Sequence, residues 1–177
     1  YVYRLIDGSW VEEAKLSPSG GIPAPHTGAP STYRCPVSLS GDVALIGAYS
    51  ERISTDGTAY IFRRSDDGWN EEAQLVLPEA EASTLFGWSV SVDEDVALIG
   101  AYNARTNGIN TGAAYVFRRN GGVWALEAKL VASDAVGGDQ FGFSVSLDGD
   151  TAVVGTPQDD DVERSSGSAY VFRLIDG

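Results

Sequence analysis

The stretch "FGFSVSLDGDTAVVGTPQDDDVERSSGSAYVFR", residues 141–173, decides the fold. Its segment "FSVSL" (143–147) alternates apolar residues with serines, and a period of two predicts a half-buried β-strand. "TAVVG" (151–155) is continuously apolar and small, as expected of a strand buried on both faces, and "AYVFR" (169–173) predicts a third strand. The turn residues Asp148-Gly149-Asp150 separate the first two strands. The stretch therefore predicts three short strands, which we label a, b and c in this order.

A fourth strand and further copies of the unit occur in the rest of the chain. Strand c recurs as "YVYR", "YIFR" and "YVFR", at residues 1–4, 60–63 and 115–118. Nine residues after each of these tyrosines, a tryptophan opens strand d: "WVEEAKL" at Trp10, "WNEEAQL" at Trp69 and "WALEAKL" at Trp124. Alternation in the last phrase predicts one shared apolar face for Trp124, Leu126, Ala128 and Leu130. Recurrence at one position favours packing over sugar stacking as the role of the tryptophans.

The strand order c-d, a-b-c-d, a-b-c-d, a-b-c predicts a β-propeller architecture, because four short strands in about 40–60 residues is the size of one blade. We predict an all-β fold of tandem four-stranded antiparallel blades in three repeats. The ring is incomplete within this chain, since such rings need about four to eight blades. The predicted boundaries are a half blade at 1–16 (the last two strands), blade 1 at 17–75, blade 2 at 76–130 and blade 3 at 131–177, lacking its last strand.

The unit resembles the FG-GAP repeat, the blade of integrin α-subunit propellers and of many bacterial surface proteins. The residues that carry the resemblance are Phe86-Gly87 and Phe141-Gly142, with Gly47-Ala48-Tyr49, Gly100-Ala101-Tyr102 and Gly155-Thr156-Pro157 at the Gly-Ala-Pro position. The first copy departs most, with Tyr33-Arg34 at the Phe-Gly position and about six extra residues. The resemblance implies an extracellular or cell-surface protein. Members serve as ligand-binding heads, lectins, accessory domains of enzymes or structural modules.

Composition excludes several classes of protein. The net charge of −13 disfavours a nucleic-acid partner, which needs a basic face. The apolar runs are far too short to span a bilayer, so we expect no membrane insertion. Cys35 is the only cysteine, so no intrachain disulfide is possible. It occupies the position of Trp88 and Phe143 in the other copies, and we predict a small core residue there.

Candidate ligand and metal sites are few. Asp159, Asp160 and Asp161 follow strand b of blade 3, and integrin-like members bind calcium in Asp-rich blade loops, so the resemblance suggests Ca²⁺ as the one cofactor. The alternative is a solvated acidic loop, because the matching loops of the other copies lack the cluster. Asp134 and Asp139 form a second cluster, for which turn chemistry is the simpler interpretation. Tyr49 and Tyr102, at the ends of strand b, are candidate ligand-binding residues.

The sequence offers no catalytic constellation, so we predict that the chain is not an enzyme. His26 is the only histidine, which leaves no histidine-based metal cage. No phosphate-binding glycine loop and no Ser-His-Asp set occurs in the sequence.

The two ends of the chain are nearly identical: "YVYRLIDG" at residues 1–8 and "YVFRLIDG" at 170–177, whereas the middle copies continue "RSDDG" and "RNGG". One interpretation is a higher-order repeat in which residue 170 begins another triplet of blades. The other is that both ends occupy a sheet-closing position with similar requirements. The chain has no methionine, so we expect a processed product or part of a longer polypeptide.

These features predict a non-enzymatic extracellular structural or adhesive module. It would self-assemble into a ring or fibre when a strand from another segment or chain completes an open blade. The predicted assembly strands contain Tyr1, Val2, Tyr3 and Leu5 at one end and Tyr170, Val171, Phe172 and Leu174 at the other. The alternatives are a calcium-supported propeller head that binds a glycan or a protein, and an accessory domain of a secreted enzyme.

Overall fold

The structure is a computed structural model of residues 1–177, and it describes residues 1–19, 35–49, 57–78, 83–160 and 166–174. Throughout these ranges the regular secondary structure is β-strand. No helix in them has the length and hydropathy to cross a membrane. The strands are β1 (Val2–Ile6), β2 (Ser9–Ala14), β3 (Val37–Ser40), β4 (Val43–Ala48), β5 (Thr58–Ser65), β6 (Gly68–Leu75), β7 (Ser89–Asp93), β8 (Val96–Ala101), β9 (Arg105–Thr106), β10 (Ile109–Asn110), β11 (Ala113–Asn120), β12 (Val123–Leu130), β13 (Ser144–Asp148), β14 (Thr151–Thr156) and β15 (Ser168–Arg173).

The strands form a series of antiparallel sheets that correspond to blades. Strands β1 and β2 form the half blade, β3-β4-β5-β6 form blade 1, β7-β8-β11-β12 form blade 2, and β13-β14-β15 form the three-stranded blade 3. Blades 1 and 2 follow the order a-b-c-d and blade 3 follows a-b-c, so the expected all-β fold of propeller-type blades is confirmed. The blades that the structure describes do not close a ring.

A short hairpin, β9–β10, lies between strands b and c of blade 2, in a segment that the sequence analysis treated as a loop. Its turn residues Asn107 and Gly108 have φ values of 53° and 81°. An Asn-Gly pair with both residues at positive φ is the preferred two-residue hairpin turn. The Asn-Gly signal was therefore present in the sequence.

Strand d carries a β-bulge in every described copy. In blade 2, Val116 pairs with Ala128 and Phe117 with Leu126, so Glu127 has no opposite residue. The extra residue reverses the alternation. The prediction that Trp124 to Leu130 share one face is therefore wrong: Trp124 packs against the core between blades 1 and 2, and Leu130 against the core between blades 2 and 3.

The hydrophobic cores lie between successive sheets. The first joins the half blade to blade 1 through Leu16 and the buried Tyr60 and Phe62. The second joins blades 1 and 2, and the third joins blades 2 and 3. Each blade therefore needs a neighbour on both faces to bury its apolar residues, as expected of a repeat architecture.

A Phe-Gly pair lies at the junction between blades 1 and 2 and at the junction between blades 2 and 3. Phe86 is fully buried, with its ring 5.7 Å from that of Tyr115. Gly87 follows with φ 89°, and a Cβ there would lie 2.7 Å from the carbonyl oxygen of Thr58 in blade 1. Phenylalanine thus fills the core while glycine permits close approach of two backbones. The first-copy counterpart, Tyr33-Arg34, lies outside the described residues.

Candidate functional site

The bulged glutamate of strand d joins blades 1 and 2. Glu72 accepts hydrogen bonds from Arg63 Nε of its own blade at 2.9 Å and from Arg119 Nε of blade 2 at 2.6 Å. The indole nitrogen of Trp124 donates a third, at 3.2 Å. Arg63 also reaches Asp95 of blade 2, at 2.8 Å. Burial alone would raise the pKa of Glu72, but the bonds from Arg63, Trp124 and Arg119 outweigh it and hold the pKa below its ordinary value.

The junction between the half blade and blade 1 repeats this arrangement near the surface. Glu13 accepts from Arg4 Nε at 3.0 Å and lies 3.6 Å from Arg64 of blade 1. Arg64 Nε also donates to Asp42 at 2.7 Å. The hydrogen bond from Arg4 is the largest cause of the lowered pKa of Glu13.

The junction between blades 2 and 3 lacks the bridging arginine. Glu127 pairs with Arg118 of its own blade at 2.9 Å, and Leu174 stands where blades 1 and 2 have Arg64 and Arg119. The backbone is unchanged, since the Leu174 amide donates to the Asp150 carbonyl at 2.8 Å as the two arginine amides do at their sites. Leu174 therefore places an apolar side chain where the other two junctions have a charged contact between blades.

A ladder of hydrogen bonds connects the a strands of successive blades, and sequence reasoning missed it. A side-chain oxygen on one strand accepts from a backbone N–H on the next. The steps are Val92 N to Ser38 Oγ (3.0 Å), Glu94 N to Ser40 Oγ (3.2 Å), Leu147 N to Ser91 Oγ (3.0 Å) and Gly149 N to Asp93 Oδ2 (2.8 Å). We call this the serine ladder. Its only signal in the sequence is the repeated Val-Ser-x-Ser/Asp pattern.

The candidate ligand-binding tyrosines lie in a chain of aromatic rings. The ring of Trp88 lies 5.0 Å from Tyr49 of blade 1 and 4.7 Å from Tyr102, and Tyr102 lies 5.5 Å from Phe143 of blade 3. Tyr49 is buried. Packing between blades accounts for these positions, and a role in ligand binding stays a prediction.

Cys35 is exposed, so its prediction as a core residue is wrong. The equivalent Trp88 is covered by Tyr49 of the preceding blade. In front of blade 1 the structure describes strands c and d alone, so no strand b covers Cys35.

The acidic residues of blade 3 meet at Tyr170. Its hydroxyl oxygen lies 2.6 Å from Asp134 Oδ1 and 2.9 Å from Oδ2 of the buried Asp159. Burial, followed by these two hydrogen bonds, raises the pKa of Tyr170 far above its usual range. Asp160 is exposed, and Asp161, like His26, lies outside the described residues.

Asp139, the other residue of the second predicted acidic cluster, stabilises a turn. Its carboxylate accepts from the Val136 amide at 2.6 Å. Among the residues that the structure describes, no group of three or more His, Cys, Asp or Glu side chains is arranged to hold a metal ion.

Blade 3 ends the row with an open edge and an open face. Within the described chain β15 pairs with β14 alone, whereas its counterparts β5 and β11 are central strands. Val171 is 69% exposed and Val153 is 38% exposed, although the equivalent Ile61 and Leu98 are fully buried. A pocket of about 470 Å³ on this face is lined in part by Ser144, Gly155, Thr156, Pro157 and Gly167.

The opposite end of the row, at the half blade and strand β3, also exposes apolar side chains. Val37 and Leu39 on strand β3 are 70% and 59% exposed, while the equivalent Val92 is buried. Trp10 is 71% exposed, although Trp69 and Trp124 pack against the cores of the junctions before them.

The comparison with protein families agrees with this architecture. The FG-GAP repeat model matches residues 69–117 and 124–172, which together make up more than half of the chain. The chain belongs to the FG-GAP repeat family. Each matched segment runs from the tryptophan of strand d to the phenylalanine of the next strand c, so each FG-GAP repeat here contains one complete blade junction. No curated protein matches the chain.

The family also narrows the class of protein. FG-GAP repeats occur mostly in extracellular or surface proteins, are generally non-enzymatic, and fit an adhesive or ligand-binding module.

Proposed function

We propose that this chain is an extracellular structural or adhesive module whose copies associate by sharing a blade. The open edge of β15 carries the proposal, because it leaves blade 3 one strand short of blades 1 and 2. An unpaired edge strand is a template for another strand. The added strand is β2 of a second copy, which supplies the missing strand d.

The near-identity of β1 and β15 supports this exchange. In the half blade, Tyr3 pairs with Glu12, Arg4 with Val11 and Leu5 with Trp10. Phe172, Arg173 and Leu174 would make the same pairs with β2, and Arg173 would face Glu13 as Arg4 does. Strand β1 is largely exposed and pairs with β2 alone in the described chain. Replacement of β1 by β15 therefore exchanges two strands of nearly identical sequence, as in domain swapping.

Burial of Trp10 should make the exchange of strands favourable in free energy. In blade 2 the tryptophan of strand d packs on the preceding blade, and its indole donates to Glu72. In the shared blade Trp10 would take this position on blade 2 of the other copy, beside Glu127. A mostly exposed indole would then become buried, and burial of a large aromatic side chain stabilises a complex by about 1.5–3 kcal/mol.

The variant Trp10→Ala tests the proposal. We expect the wild-type chain to form larger species as its concentration rises, and Trp10→Ala to need a concentration about ten- to a hundredfold higher. Because Trp10 is exposed in the isolated chain, the Trp10→Ala variant should have nearly the same melting temperature as the wild type. Sedimentation velocity and thermal unfolding measure the two effects.

The matched control is Val123→Ala, which removes a similarly exposed apolar residue at the β11–β12 turn. It should assemble like the wild type. A wild-type chain that stays monomeric at every concentration, or equal assembly by all three proteins, would contradict the proposal.

A second candidate is a calcium-supported ligand-binding head. It is favoured by the two carboxylates of Asp134 and Asp159 beside the Tyr170 hydroxyl, which has one hydrogen to donate. A cation there would offset the repulsion between the carboxylates.

Calcium titration followed by thermal unfolding tests this candidate. Added calcium should raise the melting temperature of the wild type and have no effect on Asp159→Asn. Identical melting curves in calcium and in chelator would exclude it.

A further inference from the structure

We infer that the outer face of blade 3 binds the blade 1 end of a second copy, with β13 of one copy beside β3 of the next. The inference rests on the proposed self-association, and it names the face that joins the copies. This contact is distinct from the edge of β15, because it joins two blades face to face as blades 1, 2 and 3 already are.

The serine ladder provides the polar half of the contact. Within the chain, each a strand offers side-chain acceptors to the blade after it and backbone N–H donors to the blade before it. By register, the next acceptors of this kind are Ser146 Oγ and the Asp148 carboxylate on blade 3, after which the structure describes no further a strand. The matching donors are the N–H groups of Leu39 and Gly41 on blade 1. One further step of the ladder would join them at the spacing of the internal steps.

The apolar half is also divided between the two ends. Val153 and Val171 project from the outer face of blade 3, at positions whose counterparts at the internal junctions include Leu45 and Leu98, both fully buried. The exposed residues of β3 belong to the opposite side of the junction, where the equivalent Val92 is buried. The two ends therefore carry the two complementary halves of an interface that the chain already forms twice.

The two ends differ from the internal junctions at one pair of facing positions. Inside the chain, a tyrosine at the end of strand b packs on an aromatic ring of the next blade, Tyr49 on Trp88 and Tyr102 on Phe143. At the proposed contact the same two positions are Pro157 and Cys35. Both large residues are replaced by smaller ones, so the two surfaces fill less space at this point than the internal junctions do.

Blade 2 separates the two surfaces within the described chain, so the contact that we propose joins two copies. An interface between two different surfaces of one chain is head-to-tail. Its repetition gives a fibre if the rotation does not close, and a ring if it does.

Disulfide trapping tests the contact in a Cys35→Ser background. Ser91 and Leu147 face each other across the internal junction, so the double variant Ser91→Cys/Leu147→Cys should close within one chain and shows that the geometry permits the bond. The equivalent pair between copies is Ser146→Cys/Leu39→Cys. Mild oxidation should convert it into a series of covalent multimers. The control Ser146→Cys/Val123→Cys has an equally exposed second cysteine away from the contact.

We expect at least about tenfold more covalent multimer from Ser146→Cys/Leu39→Cys than from the control, since association raises the local thiol concentration. Equal yields from the two pairs would overturn the inference. If the Cys35→Ser protein still assembles in that case, self-association stands, but the copies are joined through another surface and this face is wrong. If the Cys35→Ser protein is monomeric and no pair forms multimers, both are wrong.

Discussion

Glu13, Glu72 and Glu127 occupy the bulge of strand d in successive blades, and their position explains how one residue can serve two sheets. A bulge re-aims a side chain that regular alternation would direct elsewhere. Glu72 thereby reaches an arginine on each of two blades and the Trp124 indole. The arginine nine residues before each glutamate is its partner within the blade.

Stability in acid should depend on Glu72. Its pKa is lower in the folded protein than in the unfolded chain, so its stabilising effect is fully present above about pH 4.5 and is lost as the pH falls through the folded value. Glu72→Gln should reduce the free energy of unfolding by about 1–3 kcal/mol at neutral pH, and the difference from wild type should shrink below pH 4.5. Urea unfolding across this range measures it, and a difference independent of pH would contradict the assignment.

Stability in alkali should depend on Tyr170. Its raised pKa means that the folded protein keeps the hydroxyl protonated, so its contribution is complete below pH 10 and declines as the unfolded chain ionises above that pH. Tyr170→Phe should flatten the alkaline loss of stability, and Tyr1→Phe, at an exposed position, should not. Chemical denaturation above pH 10 measures the effect. If the free energy of unfolding falls equally steeply with pH in the wild type and in Tyr170→Phe, the hydroxyl does not control stability in alkali.

At the level of the element, the strands and the faces of strand a were predictable, but the faces of strand d were not. The alternation of "FSVSL" and the apolar run "TAVVG" correctly indicate β13 and β14. Periodicity in one segment cannot reveal a bulge, because the extra residue at Glu127 is defined only by its pairing with β11. The exposure of Cys35 likewise depends on which strands lie in front of blade 1. The serine ladder was hidden because serine on a strand usually signals no more than a solvent-facing side.

Gly100 and Gly155, at equivalent positions on strand b, should differ in how much their substitution by alanine destabilises the protein. A Cβ on Gly100 would overlap the Gly142 carbonyl oxygen of the next blade, whereas one on Gly155 would meet mainly the Ser144 hydroxyl of its own blade, which can rotate. Gly100→Ala should therefore lower the free energy of unfolding by about 1–3 kcal/mol, and Gly155→Ala should change it by less than about 0.5 kcal/mol. Chemical denaturation compares them. Equal losses would mean that blades 2 and 3 are not packed as described.

At the scale of the whole molecule, the chain is a row of interlocking blades with unlike ends. One end carries the acceptors Ser146 and Asp148 and the edge strand β15, which in the described chain pairs with β14 on one side and with no strand on the other. The other carries exposed apolar residues on β3 and the exposed Trp10. A repeat protein stabilises each unit through its neighbours, so terminal units normally have polar caps. The exposed apolar residues at both ends of the described chain support the association that we propose.

Electron microscopy of the purified chain at rising concentration tests the proposed association. We expect fibres or rings whose repeating unit is one chain of three blades, with neighbouring copies joined through a shared four-stranded sheet. Single open rows of blades at every concentration would contradict it.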